Sequence, residues 1–394
     1  MELLAPAGNF EKFLTALHFG ADAVYLAGGK FGLRAFAGNF TEEEMEKAVK
    51  IAHSQNKRVH VTLNIIAKDK DFEGLEEYLK FLQKIGVDAV IVADIGILAF
   101  IREKAPKLNV HVSTQANIIN SYSAKLMASL GVKRLILARE LSLEEVKEIR
   151  QKTPSNIEIE VFVHGAMCMA YSGRCLLSNY LTGRDSNHGE CVQACRWKYM
   201  VREVNREDEM EVQEDERGSY IFNSKDLNMI EYLGLLKEIG VDSVKIEGRM
   251  KSPYYVATVV NAYRRAIDML PKKPTKEILE ELEKASHRRY TTGFYFGDEE
   301  KQYTLDSMPV QNSEFVAVVT KCENGIAELE MRNKFSVGDT LEILSPDANI
   351  FNKKFKIEKI TNSAGIEVDS AKVVQEKVTV PCKFNLQVGD ILRR

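Results

Sequence analysis

Four times within the first 250 residues a helical pattern closes on glycine and passes at once into an apolar strand. The instances are Phe19-Gly20-ADAVYL, Ile85-Gly86-VDAVIV, Leu130-Gly131-VKRLIL and Ile239-Gly240-VDSVKI. Glycine just past a helix end takes the left-handed conformation that closes the helix and redirects the chain. The strands that follow have the unbroken hydrophobicity of a parallel sheet covered on both faces. Four more strand candidates lie between them: Glu2-LLA, Arg58-VHVTLN, Asn109-VHVST and Ile157-EIEVFV. The connecting segments read as helices. Thr41-EEE and Ser142-LEE are capping boxes, and Met45, Ala48, Val49 and Ala52 follow at one-face helical spacing. Eight alternating strand–helix units in about 270 residues match an α/β fold of the (β/α)8 barrel type in number and size. A doubly wound open sheet is the alternative, because pattern alone does not report closure.

One connection is abnormal. Strand seven ends near Val163 and strand eight begins near Asp242, and long loops in compact domains are usually functional. The expected organisation is therefore a barrel over residues 1–270 with a Cys-rich insertion at 164–224, and a helical, basic linker at 271–309. A small C-terminal β-barrel at 310–394 completes it, where the period changes to two in Glu314-FVAVVTK, Gly325-IAELEMR and Thr340-LEILSP. Within it, Asn333-KFSVGDTLEIL resembles the β-barrel domain of translation factors.

The insertion holds Cys168, Cys175, Cys191 and Cys195, four of the six cysteines, spaced C-x6-C-x15-C-x3-C. The opening Met1-ELLAPAG shows no charged-then-apolar signal, so a reducing, cytoplasmic compartment is expected and disulfides are not. Clustered cysteines in such a setting bind metal or do chemistry. Structural zinc sites pair cysteines two to four residues apart, and only Cys191 with Cys195 fits that rule. Four thiolates on a long loop suit a [4Fe–4S] cluster, whose ligands spread more widely. Zinc and plain buried thiols remain the other two readings. Cys322 and Cys382 sit in strand-like sequence and read as buried.

Residues at the C-terminal ends of barrel strands are the first candidates for chemistry. His164 and Glu247 are the candidate acid–base groups, with His164 also a possible metal ligand. Asn64, Gln115, Arg249 and Lys251 are candidate substrate-binding residues, together with Arg34 in the Gly-rich loop after strand two. Arginine offers a carboxylate a bidentate fork. The bland readings are a hydrogen-bonded structural histidine for His164 and a strand-pinning ion pair for Glu247 with Arg249. Asp94 reads as a helix cap. There is no G-x-S-x-G elbow and no H-E-x-x-H. No apolar run approaches the ~20 residues of a membrane span, and a net charge of −3 does not mark a non-specific nucleic-acid binder. Local basic and aromatic groups that can meet RNA are Arg196-WKYMVR, Arg264-Arg265, Lys272-Lys273 and His287-RRY.

Glu160-VFVHGAMCMAYSGRCLLS resembles the signature of the collagenase-like peptidase family, number thirty-two of the unknown-mechanism class. The resemblance continues through Asn179-YLTGRDSNHGECVQACRWKY, Lys245-IEGRMKSPYYVA, His287-RRYTTGFYFG and the opening Leu3-LAPAGNF with Ala21-DAVYLAG, nearly the whole chain. The overall pattern looks most like the branch of that family that hydroxylates tRNA. That likeness implies oxygen-independent 5-hydroxylation of the wobble uridine, dependent on prephenate and an iron–sulfur cluster. By motif, Cys168, Cys175, Cys191 and Cys195 would be the cluster ligands, and tRNA and prephenate the partners. Association with a family paralogue or with further copies of the chain is a further expectation. A collagenase-like peptidase and a non-catalytic RNA-binding accessory are the alternatives.

Overall fold

The computed structural model describes residues 1–29, 31–32, 39–167, 175–184, 186, 190–192, 194, 214–215, 218–219, 225–297 and 310–394. The eight barrel strands are β1 (Glu2–Pro6), β2 (Ala23–Leu26), β3 (Arg58–Leu63), β4 (Ala89–Val92), β5 (Val110–Val112), β6 (Arg134–Ile136), β7 (Glu158–Ala166) and β8 (Ser243–Ile246). They pair in parallel and in order, and β8 bonds to both β7 and β1, which closes the barrel. This closure excludes the open sheet. Helices α1 (Phe10–His18), α2 (Glu42–Ser54), α3 (Leu75–Ile85), α4 (Ile95–Lys104), α5 (Ser121–Ser129) and α6 (Leu143–Lys152) connect the first seven strands. Thr41 and Ser142 complete capping boxes with Glu44 and Glu145, and the Asp94 carboxylate accepts from the Ile97 amide at 3.0 Å. Gly86 and Gly240 end their helices with φ of 79° and 91°.

The long connection from β7 to β8 contains the short helix α7 (Leu177–Thr182) and then α8 (Leu233–Ile239). Just before α8, Asp226–Asn228 pairs antiparallel with the end of β7, and Tyr290–Thr291 adds to its free side. Helix α9 (Pro253–Asp268) is buried along most of its length and packs on α1 and β1. Helix α10 (Lys276–Leu282) follows.

From Phe315 onward an eight-stranded antiparallel sheet encloses its own core of Val316, Leu329, Leu341, Ile343, Val378 and Leu392 among others. Its contact with the barrel is specific. Arg393, fully buried, donates to both oxygens of the equally buried Glu281 at 2.5 and 2.7 Å. Arg265 donates to the Ser345 and Pro346 carbonyls, and the Tyr254 and Phe315 rings stack at 5.6 Å. The expected basic pair Arg264–Arg265 is thus spent on structure, since Arg264 is also ion-paired with Asp22 and Asp268. Lys272 and Lys273 are exposed. Residues 196–202 lie outside the described residues.

Candidate active site at the barrel mouth

Apolar strands were expected on both faces, yet the inward face of the barrel is polar. Arg134 of β6 reaches across the interior to Glu2 of β1 at 2.5 Å and to Glu160 of β7 at 2.8 Å. Lys245 of β8 pairs with Glu160 at 3.1 Å. The His60 and His111 rings, from β3 and β5, meet edge-on at 4.7 Å. Burial holds His60 neutral, with its pKa down at about 3, and the Arg134 charge adds to the effect. Burial alone would raise the Glu160 carboxyl. The Lys245 and Arg134 charges outweigh it and hold the group below its ordinary range. Successive residues of a strand face opposite sides, so in β1, β3, β5, β6, β7 and β8 one face gives the apolar signal while the other carries these polar groups.

Above this floor, toward the C-terminal ends of the strands, lie the rings of Tyr25 and Phe162. The Lys245 ammonium lies 4.4 Å from the Tyr25 ring centroid and 5.5 Å from that of Phe162. Tyr25 donates its hydroxyl to the Ile246 carbonyl at 3.0 Å and stands 3.5 Å from a Glu247 carboxylate oxygen. Arg249, 4% exposed, donates to Asn39 Oδ1 at 2.9 Å and lies 3.4 Å from Thr62 Oγ1 of β3. Across the mouth, Asn64 donates its amide to Gln115 Oε1 at 3.0 Å. Two glycines permit this assembly. A Cβ at Gly8 would stand 2.1 Å from the Arg249 carbonyl oxygen. Gly165 has φ of 103°, and a Cβ there would stand 2.5 Å from the Glu247 carbonyl oxygen.

The sequence candidates therefore separate into two groups. Glu247, Arg249, Asn64 and Gln115 line the mouth. His164 and Lys251 gather instead around Tyr255 of α9. The cause is a register shift between β7 and β8: Lys245 pairs with Phe162, but Ile246 pairs with His164. The extra residue turns the His164 side chain outward, where its ring lies 5.4 to 6.0 Å from those of Tyr255, Tyr263 and Tyr290. Burial lowers its pKa to about 3, aided by His287 and Lys251, so the imidazole is neutral. Its ring nitrogens have no hydrogen-bond partner among the described residues. Lys251 donates to the Ser286 carbonyl at 3.2 Å and lies over the Tyr255 ring at 5.0 Å. Tyr290, an expected stacking plane, is half-buried, with its ring stacked on His287 at 4.2 Å.

Arg34, Cys168 and Cys195 lie outside the described residues. Cys175 and Cys191 are half-buried and flank α7. Two bonds draw these flanks together, from Ser186 Oγ to the Cys175 carbonyl at 2.6 Å and from the Val192 amide to Ser178 Oγ at 3.2 Å. Residues 8–305 match Peptidase family U32, and residues 311–393 match the Peptidase family U32 C-terminal domain.

The chain belongs to peptidase family U32.

Among U32 relatives, "tRNA hydroxylation protein P1" of Bacillus subtilis is 42% identical, over 94% of this chain and 89% of that protein. "tRNA hydroxylation protein P" of Escherichia coli is 38% identical, over 98% and 95%. The "Collagenase" of Porphyromonas gingivalis is 28% identical, over 100% and 97%. In this U32 chain the two described cysteines fit a thiolate-bound metal group in exposure and in being held by one short helix. No group of three or more His, Cys, Asp or Glu suited to a metal ion occurs among the described residues.

Sequence reading passed over Tyr25, Asn39, Thr62 and the whole charged interior. A signal for Thr62 was present: in Arg58-VHVTLN, His60, Thr62 and Asn64 share one parity, and all three positions face inward or into the mouth. Asn39 had no such signal, because its position depends on where Arg249 reaches. Among the described residues no helix is long and apolar enough to cross a membrane.

Proposed function

We propose that this chain is an RNA hydroxylase that forms 5-hydroxyuridine at the wobble position of tRNA, with prephenate as co-substrate and a [4Fe–4S] cluster on Cys168, Cys175, Cys191 and Cys195. The observation that carries the reading is near full-length identity of 42% and 38% to two proteins named for tRNA hydroxylation. The mouth supports it chemically. Arg249 presents a buried guanidinium positioned by Asn39 and Thr62, and a guanidinium meets a carboxylate through strong, charge-assisted bonds. Asn64 and Gln115 offer amide groups across from it, suited to the hydroxyl and carbonyl groups of a small ligand. Glu247, half-buried beside the Tyr25 hydroxyl, is the group at the mouth able to take or return a proton. When bound, the cluster supplies one-electron redox chemistry. His164, neutral and among tyrosines, serves in this reading to hold the base of the cysteine insertion against α9.

The test is to purify the chain without air, measure iron and acid-labile sulfide, and assay tRNA from a strain lacking wobble hydroxylation. Iron and sulfide lost on Cys191→Ala, together with prephenate-dependent 5-hydroxyuridine, are the expected results. Prephenate dependence unchanged in Arg249→Ala would remove the assignment of that residue. Gelatin cleavage that survives Cys191→Ala, with no tRNA product, would favour the peptidase reading, which the collagenase relative keeps in view.

A further inference from the structure

The loop leaving β1 and the loop leaving β8 touch at Gly8, and the contact brings the Lys12 ammonium to the Arg249 main chain. Lys12, in the first turn of α1, donates its Nζ to the Arg249 carbonyl at 3.2 Å. It would lie 3.2 Å from a Cβ at Gly8, so the same glycine makes room for the lysine and for the β8 loop. No carboxylate stands within ion-pair distance of Lys12 among the described residues. The adjacent acid, Glu11, is 2.6 Å from Arg332 of the C-terminal domain. Burial lowers the Lys12 pKa. Glu11 opposes that shift, and the Arg249 charge adds to it. A half-buried ammonium tied to a carbonyl at the first turn of a helix, and within the influence of the Arg249 charge, is suited to meeting an anion.

We propose that Lys12 is an anion-binding residue of the barrel mouth. With Arg249 it takes one carboxylate or phosphate group of a small ligand, and Arg332 keeps it available by engaging Glu11. The C-terminal domain thereby tunes a site that lies wholly on the barrel. The inference rests on reading the mouth as the seat of an anionic co-substrate.

The experiment is calorimetric titration of the full chain with prephenate and, separately, with inorganic phosphate. The variants are Lys12→Met, Lys12→Arg, Arg332→Met and Arg332→Met with Glu11→Gln. A charge-assisted bond lost should weaken binding about tenfold to a hundredfold in Lys12→Met, with Lys12→Arg within about threefold of wild type. Arg332→Met should weaken it a few-fold, and the added Glu11→Gln should restore it, a rescue that a merely structural lysine would not give. Prephenate bound equally by wild type and Lys12→Met overturns the role of Lys12 and leaves the co-substrate reading standing. Phosphate bound in a Lys12-dependent way, with prephenate not bound, supports Lys12 and ends the prephenate reading. Neither probe binding to wild type overturns both.

Discussion

The two ends of the barrel handle buried charge in opposite ways. At the floor, Arg134 and Lys245 are matched by Glu2 and Glu160, a network that crosses the interior and runs on to the more exposed Arg58 and Glu158. At the mouth, the Arg249 guanidinium is held by the uncharged Asn39 and Thr62, and Lys12 by a carbonyl. Two unit charges taken out of water need a partner or a good hydrogen-bonding cage. The floor uses charged partners. At the mouth, the Asn39 and Thr62 side-chain oxygens fix the position of the Arg249 guanidinium. On the proposed function, the floor serves stability and the mouth recognition, in line with where catalytic sites lie in this fold.

The largest effect expected from that contrast is on folding. Glu160→Ala leaves Arg134 and Lys245 facing each other in the interior without their shared carboxylate, and breaking a buried pair in this way costs about 3–5 kcal/mol. Urea unfolding followed by circular dichroism measures it. A loss under about 1 kcal/mol would mean that water takes the place of the Glu160 carboxylate, and the contrast between the ends would fail.

The next effect belongs to the mouth. Arg249→Ala should lower 5-hydroxyuridine formation on the order of a hundredfold, equivalent to about 2.7 kcal/mol, while costing far less stability than Glu160→Ala. Nucleoside analysis of reacted tRNA and urea unfolding of the same sample give both numbers. Equal losses of folding stability at the two ends would erase the division of labour.

How much of this was legible in advance follows from what each feature depends on. The barrel was legible because it is local and repeated: Gly20, Gly86, Gly131 and Gly240 each mark a helix end beside its own strand. Glu247 and Arg249 were legible as mouth residues because strand ends can be counted. His164 was not, since its direction depends on a bulge set by pairing with β8, a strand about 80 residues later in the chain. The ionic floor was hidden for a related reason. Glu2, Arg134, Glu160 and Lys245 come from four strands, and only closure makes them neighbours. Of the cysteine ligands expected, the structure describes Cys175 and Cys191, and both sit on the insertion that the spacing singled out.

A third effect separates the interior from the layer outside it by titration. His60 in the barrel and His164 beneath α9 both have pKa values lowered to about 3, chiefly by burial. In the unfolded chain each titrates near the ordinary ~6.5. Between those values the unfolded state binds a proton that the folded state does not, so stability falls as pH falls. From pH 6.5 to 5.5 each histidine should contribute a loss of about 1 kcal/mol. Both His60→Gln and His164→Gln should flatten the slope of unfolding free energy against pH. Slopes unchanged in both variants would mean that these imidazoles are hydrated in solution and that neither layer is closed.

The smallest effect tests whether the amides facing Arg249 are recognition groups or only a brace. Gln115→Leu removes the acceptor of the 3.0 Å bond from Asn64 and leaves the amide donor of Asn64 at the edge of the mouth. Both residues are only half-buried, so water can replace the lost partner, and the stability change should stay within about 1 kcal/mol. For catalysis the expectation depends on when the bond matters. If Asn64 and Gln115 hold the co-substrate in its ground state, the KM for prephenate rises about threefold to tenfold and kcat is kept. A fall in kcat with KM unchanged would instead place the pair at the reacting centre, and the mouth would then be divided into an anion grip at Arg249 and a reaction edge at Asn64.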